Sequence, residues 1–153
     1  MANYEKKMQE LGLRVPELPP AAGAYVPAVR SGKLIFCSGQ GPYRDGAMAF
    51  VGQVGREVDL EQAYQAARIA AINCLAEACT LIGSVNNIRR IVQVRGFVNG
   101  APGFHDQPKV INGASELLLQ IFGEAGRHAR AALGAGGLPF NIPVEIELVL
   151  EAR

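Results

Sequence analysis

Tryptophan is missing from the 153 residues, aromatic side chains make up only 7% of them, and histidine occurs twice. So thin an aromatic complement offers little for stacking nucleic-acid bases. His105 and His128 stand far apart with no cysteine cluster between them, so a zinc site lacks ligands and no metal is expected. Charge of one sign is equally scarce. Fifteen Lys+Arg face fourteen Asp+Glu, for a net charge of +1, and no electrostatic footprint for nucleic acid or a membrane surface stands out. No stretch approaches a membrane span, and the opening MANYEKKMQELGL reads as a short polar amphipathic helix without an apolar signal core. The expected compartment is the cytoplasm. Three cysteines, Cys37, Cys74 and Cys79, are an odd number without metal-ligand or redox spacing. They are expected as buried free thiols.

What is present is an ordinary globular chain. Apolar residues reach 49%, and at this length folding buries about two thirds of the surface of the unfolded chain. One domain over residues 1–153 is expected, with 1–20 as an N-terminal helix and Pro-rich connector. Two short β-like runs follow, Tyr25 to Arg30 and Lys33 to Ser38, around a Ser31-Gly32 turn. Val58 to Gly83 reads as a long helix, with Leu60, Tyr64, Ala67, Ala71, Cys74, Ala78 and Leu81 recurring at steps of four and three. Gly83 is its expected stop. Ile91 to Val98 is a strand rich in β-branched residues. A second helix runs from about Gln107 to Glu124, opened by Asp106 as N-cap and striped by Val110, Ala114, Leu117, Ile121 and Phe122. Two strands close the chain, Ala129 to Leu133 and Val144 to Glu151, separated by a Gly-rich turn.

This order predicts an α+β sandwich: a mixed sheet with two helices packed on one face. The last strand sends Val144, Ile146, Leu148 and Leu150 one way and Glu145, Glu147, Val149 and Glu151 the other. The polar face, shared with Gln93 and Arg95, is either solvated or a place where subunits meet.

The segments AAGAYVPAVRSGKLIFCSGQGP, RGFVNG, ING and ARAALGAGGLPFNIPVEIEL together resemble the YjgF family, also called the Rid (reactive intermediate deaminase) family, from about Ala21 to Ala152. The closing segment is the most specific: an arginine, eight residues to a Leu-Pro, then a strand carrying E-x-E. The resemblance implies a chorismate-mutase-like fold, a homotrimer with clefts between subunits, and hydrolysis of enamine/imine intermediates such as 2-aminoacrylate to a 2-oxo acid and ammonium. It implies no cofactor. By motif, the substrate-carboxylate arginine falls on Arg130 and the glutamate holding the hydrolytic water on Glu145. Tyr25, Ser38, Gly39 and Asn112 line the cleft. Where many members carry cysteine, this chain has Ala132, which retains a main-chain carbonyl to face the substrate nitrogen.

Read from the residues alone, other roles stay open. Arg130 is equally an exposed or intersubunit ion-pair partner, Glu145 a salt-bridge partner of Arg95, Tyr25 a core tyrosine and Ser38 a turn serine. Strand alternation does not separate Glu145 from Glu147. A trimer that binds small carboxylates without turnover is the alternative function, and a ribonuclease or translation inhibitor ranks last. The expected partners are therefore a small 2-imino or 2-oxo acid and further copies of the chain, with neither nucleic acid nor membrane.

Overall fold

The computed structural model describes residues 2–153, so Met1 of the expected first helix lies outside the described residues. Helix α1 spans Tyr4–Glu10. It is followed by strands β1 (Ala28–Ser31), β2 (Leu34–Gln40), β3 (Tyr43–Arg44) and β4 (Ala47–Met48), helix α2 (Leu60–Ile82), strand β5 (Ile88–Val98), helix α3 (Gln107–Phe122), and strands β6 (Ala129–Gly134) and β7 (Val144–Ala152). Five strands form one sheet in the order β1-β2-β7-β5-β6, and β3 and β4 form a separate hairpin. All neighbours in the large sheet are antiparallel except β5 and β6, which α3 connects in parallel. This is the expected α+β sandwich with a mixed sheet.

Alternation in β7 does what the sequence requires. Val144, Ile146, Leu148, Leu150 and Ala152 are buried beneath the helices, while the intervening residues are half-buried on the other face. The α3 stripe behaves likewise, with all five of its predicted residues buried. Helix α2 departs from the stripe. Its middle, Ala66 to Ala78, is buried on nearly every side, while Leu60 and Leu81, at its ends, are exposed. The helix lies between the sheet on one side and the hairpin on the other. Buried Asn73 fastens that second contact, its Nδ2 donating to the carbonyls of Gly41 and Tyr43 at 2.9 Å each. Helices α2 and α3 cross closely because Gly113 has no Cβ, and one built there would collide with the carbonyl of Tyr64.

Several boundaries differ from expectation. Tyr25 precedes β1 and lies in the connector, where Pro27 removes a ladder donor. The β1–β2 turn centres on Gly32-Lys33, one residue later than predicted, since Ser31 already pairs with Leu34. Asp106 does occupy the N-cap of α3 but makes no capping hydrogen bond, pairing with Lys109 at 3.4 Å instead. Asp59 and Gln62 form the capping box that starts α2.

Helix α1 is part of the core: Tyr4 packs edge-on against Phe122 with ring centroids 4.6 Å apart, and Met8 is 2% exposed. Asn86, in the turn before β5, ties both ends of the fold together. Its Oδ1 accepts the Tyr4 N–H at 2.7 Å, and its carbonyl accepts Arg153 Nε at 3.1 Å.

Candidate functional site

The predicted site residues fall into two groups within the chain. The first lies at the outer edge of β2, beyond the reach of short β1. The Ser38 N–H donates to the Pro27 carbonyl and its Oγ to the Val26 carbonyl, both at 2.8 Å. Ser38 thus works as a staple that holds the connector against the strand. Tyr25 projects from that connector and is 54% exposed. Next to Ser38, Gly39 leaves room for Glu145 on neighbouring β7: a Cβ at Gly39 would stand 2.7 Å from the Glu145 Oε1. Tyr25, Gly39 and Glu145, with Phe140 and Ile142, line a cavity of about 170 Å³. Phe140 and Asn141 adopt left-handed backbone there, φ 58° and 54°, an unfavourable state for an aromatic residue. Asn99 Nδ2 braces the pair by donating to the Asn141 Oδ1 at 3.1 Å and to the Ile142 carbonyl at 3.2 Å.

The structure separates the two glutamates that alternation left equivalent. Glu147 pairs with Arg95 at 3.3 Å, whereas Glu145 turns to the cavity. Burial, then the nearby Glu147 charge, push the Glu145 carboxyl above its ordinary range.

The second group lies on edge strand β6 and the helix beside it. Arg130 Nη1 donates to the Asn112 Oδ1 at 2.7 Å and to the Ser115 Oγ at 3.3 Å. No carboxylate lies within ion-pair distance of Arg130 among the described residues, so the rest of its guanidinium faces outward uncommitted. His128 fixes Ser115. Its Nδ1 lies 2.6 Å from the Gly126 carbonyl, which assigns the ring proton to Nδ1, and its Nε2 then accepts from Ser115 Oγ at 2.9 Å. The histidine is half-buried and structural, not the exposed residue expected beside two arginines. Ala132 points to the core side of β6. Ser115 belongs to none of the sequence motifs, although it stands three residues after Asn112 and so on the same helix face.

The two groups do not meet within the chain. Arg130 pairs with Val94 and Glu145 with Phe97, so their side chains leave opposite faces of the sheet. Two strand spacings and three residues along the strand separate their Cα atoms by about 14 Å. The sheet's open face carries rows of mixed character. One row runs Val29, Phe36, Val149, Gln93 and Ala129; another joins Glu145, Phe97 and Leu133. Val29, Phe36 and Leu133 are each about half exposed, at 51%, 45% and 53%.

Among the described residues, no group of three His, Cys, Asp or Glu side chains is arranged to hold a metal ion, and no helix is long and apolar enough to cross a membrane. Cys37 and Cys74 are buried and Cys79 is partly so, all as free thiols. Cys37 donates to the Cys74 carbonyl and Cys74 to that of Ile146.

Comparison with known proteins supplies relatives that match nearly end to end. A Trypanosoma cruzi protein, TCP17, is 37% identical over 94% of this chain and 91% of its own. The crystal structure of Atu1372 from Agrobacterium tumefaciens, a protein of unknown function, is 44% identical with a TM-score of 0.88, covering 97% of this chain and 91% of that one. A "putative endoribonuclease" from Shewanella oneidensis is 34% identical with a TM-score of 0.94, over 98% and 99%. The family model described as "YjgF/chorismate_mutase-like, putative endoribonuclease" matches residues 5–151. The chain belongs to the YjgF/chorismate-mutase-like family.

Proposed function

We propose that the protein is a hydrolytic deaminase of reactive enamine and imine intermediates, 2-aminoacrylate and similar 2-imino acids, acting at clefts between the subunits of a homotrimer. The observation that carries this reading is the division of the site. Arg130 presents an unpaired, pre-positioned guanidinium on one face, and Glu145 sits with Tyr25 and Gly39 in a small cavity on the other. Each is half of what an imino acid needs, and a second copy is the natural source of the missing half. The half-exposed apolar residues of the open sheet face provide a surface for that copy.

The chemistry asks little of the protein. A 2-imino acid already reacts with water, so catalysis consists of holding its carboxylate, favouring the protonated imine and positioning one water. Guanidinium suits the first task because it is planar, permanently charged and able to grip both carboxylate oxygens. Glu145 takes a proton from the attacking water, helped by a carboxyl made more basic through burial. The Tyr25 hydroxyl and the Ala132 carbonyl orient the substrate, neither needing covalent participation. The product is the 2-oxo acid with ammonium.

The endoribonuclease description of the Shewanella relative is the competing reading. It finds less support here. Net charge is +1, and His128, the histidine beside the candidate arginine, has both ring nitrogens engaged internally.

The test is ammonia release from imines generated in situ by an amino-acid oxidase, run over several amino acids. The protein should accelerate release for small side chains, and light scattering should report about three times the 16.3 kDa chain mass. Acceleration no greater than buffer alone, with 2-oxo acids still bound, would leave a binding protein. A monomer would remove the cleft altogether.

A further inference from the structure

Glu77 is the one acidic side chain in the buried middle of α2, and it lies 5% exposed. Its carboxylate has neither a hydrogen bond nor an ion pair among the described residues. Every side-chain oxygen that is itself fully buried has a hydrogen-bond partner. The unpartnered Glu77 oxygens therefore reach open space, and the space that Glu77 lines is the same 170 Å³ cavity that holds Tyr25, Gly39 and Glu145. An enclosed carboxyl without a donor is costly to keep, so its presence calls for a reason beyond packing.

We propose that Glu77 is the proton donor of this cavity, standing against the imine nitrogen while Glu145 serves the water. This deepens the deaminase reading and rests on it. In the first step the Glu77 O–H breaks and a new N–H forms, leaving an iminium and a carboxylate. Water then adds to the iminium carbon and loses a proton to Glu145. The resulting carbinolamine receives that proton on nitrogen, ammonia departs, and the hydroxyl proton returns to Glu77. Both carboxyls end as they began.

The surroundings suit the division of labour. Glu77 lies near enough to Cys37 of β2 and Cys74 of α2 for its charge to push both thiols up, and Tyr25, Tyr43 and Glu145 line the same cavity. No cation is among them, so nothing favours the ionised form. Burial pushes the Glu77 carboxyl up, which keeps a proton available at higher pH than an ordinary glutamate would. Glu145 is pushed up as well, by burial and then by Glu147, but it projects from the open face of the sheet beside the Arg95–Glu147 pair, whereas Glu77 comes from the helix packed on the opposite face. Two carboxyls in unlike environments are the usual means of dividing acid from base.

Glu77→Gln keeps the shape and removes the proton. Expected are an unchanged oligomer mass, a melting temperature at or above that of the parent, pyruvate affinity within about twofold, and a fall in ammonia release of roughly 10²-fold or more. The parent's rate should decline as pH rises through the ionisation of Glu77, above the ordinary glutamate range, and the variant should lose that decline. Glu77→Asp, which retains a retracted carboxyl, should recover part of the rate and restore the pH dependence. A parent-like rate and pH profile in folded Glu77→Gln would overturn the proposal. A separate readout distinguishes this from failure of the deaminase reading itself. Infrared difference spectra of parent minus Glu77→Gln, recorded as the pH is raised from 4, should contain a protonated-carboxyl band that persists to higher pH than that of an ordinary glutamate, and its absence overturns the proposal even if no substrate is ever turned over.

Discussion

On the proposed function, replacing Arg130 by alanine removes the anchor for the substrate carboxylate, and the structure allows its two consequences to be separated. Within the chain the guanidinium is exposed and makes two hydrogen bonds through Nη1, to Asn112 and Ser115. Water can replace it at both, so the loss of stability should be about 1–2 kcal/mol. That is a melting-point drop of roughly 2–8 °C for a chain of this size. The binding cost is larger. With Nη1 committed internally, Nη2 and Nε remain to grip a carboxylate, and leaving that charge unpaired in a partly dry cleft costs about 2–5 kcal/mol. This corresponds to roughly 30- to 4,000-fold in affinity or kcat/KM. Arg130→Lys keeps the charge and loses the fork, so it should recover only a fraction. Asn112→Ala should fall between parent and Arg130→Ala, because the arginine survives but its main brace is gone. The assays are titration calorimetry with pyruvate and ammonia release from oxidase-generated imines, both after the oligomer mass has been verified. An Arg130→Ala protein that keeps the parental mass, binds pyruvate and turns over as well as the parent would refute the anchor and the reasoning that led to it.

Three further outcomes follow from other parts of the fold. Burial pushes the Cys37 thiol to about 12 and the Cys79 thiol to about 11, so alkylation of the native protein at pH 8 should be slow, with half-buried Cys79 first and activity unaffected; rapid labelling at Cys37 would contradict the buried arrangement. Gly113→Ala forces a methyl into the Tyr64 backbone and should destabilise by about 1–3 kcal/mol despite alanine's better helix propensity, whereas a raised melting temperature would show that the helices separate freely. Glu77 and Glu145 both have raised native carboxyl values against 4.5 for an ordinary glutamate. Between that value and the native one the unfolded chain has lost the proton that the native state keeps, so their joint contribution to stability falls as pH rises and then levels off. Chemical denaturation from pH 4 to 8 should therefore show a shallower decline for the Glu77→Gln, Glu145→Gln double variant than for the parent, and parallel curves would argue that both carboxyls are normally solvated.

Legibility in the sequence followed how many partners an element has. Strand β7 and helix α3 each bury one face, so their periodicity reads directly. Helix α2 is covered on both sides, which erases the stripe and hides Glu77 among alanines that the same periodicity places in the core. The β3–β4 hairpin carries an Asp45-Gly46 turn with both residues at positive φ, a strong local signal; its strands are two residues each, too short for alternation to register. The candidate site was visible as residue types and motif positions. Its division between two sheet faces was not, because whether Arg130 and Glu145 share a face depends on the pairing of β5 with both β6 and β7, which no local pattern encodes. The choice between Glu145 and Glu147 is legible only through the family motif and not from strand alternation, since it is made by the missing side chain of Gly39 on a strand more than a hundred residues earlier.

Asn86 gives the termini of the fold a shared fate. A seven-residue helix such as α1 has little stability by itself, and in isolation its amide protons would exchange with solvent within moments. Here the side chain of Asn86 secures the first turn of that helix while its carbonyl holds Arg153, just past the end of the final strand. Loosening either contact leaves the other with a less well fixed partner. Hydrogen–deuterium exchange should accordingly find the amides of Tyr4 and Met8 opening at rates close to those of Ala152 and Arg153, as one unit assembled from opposite extremes of the chain.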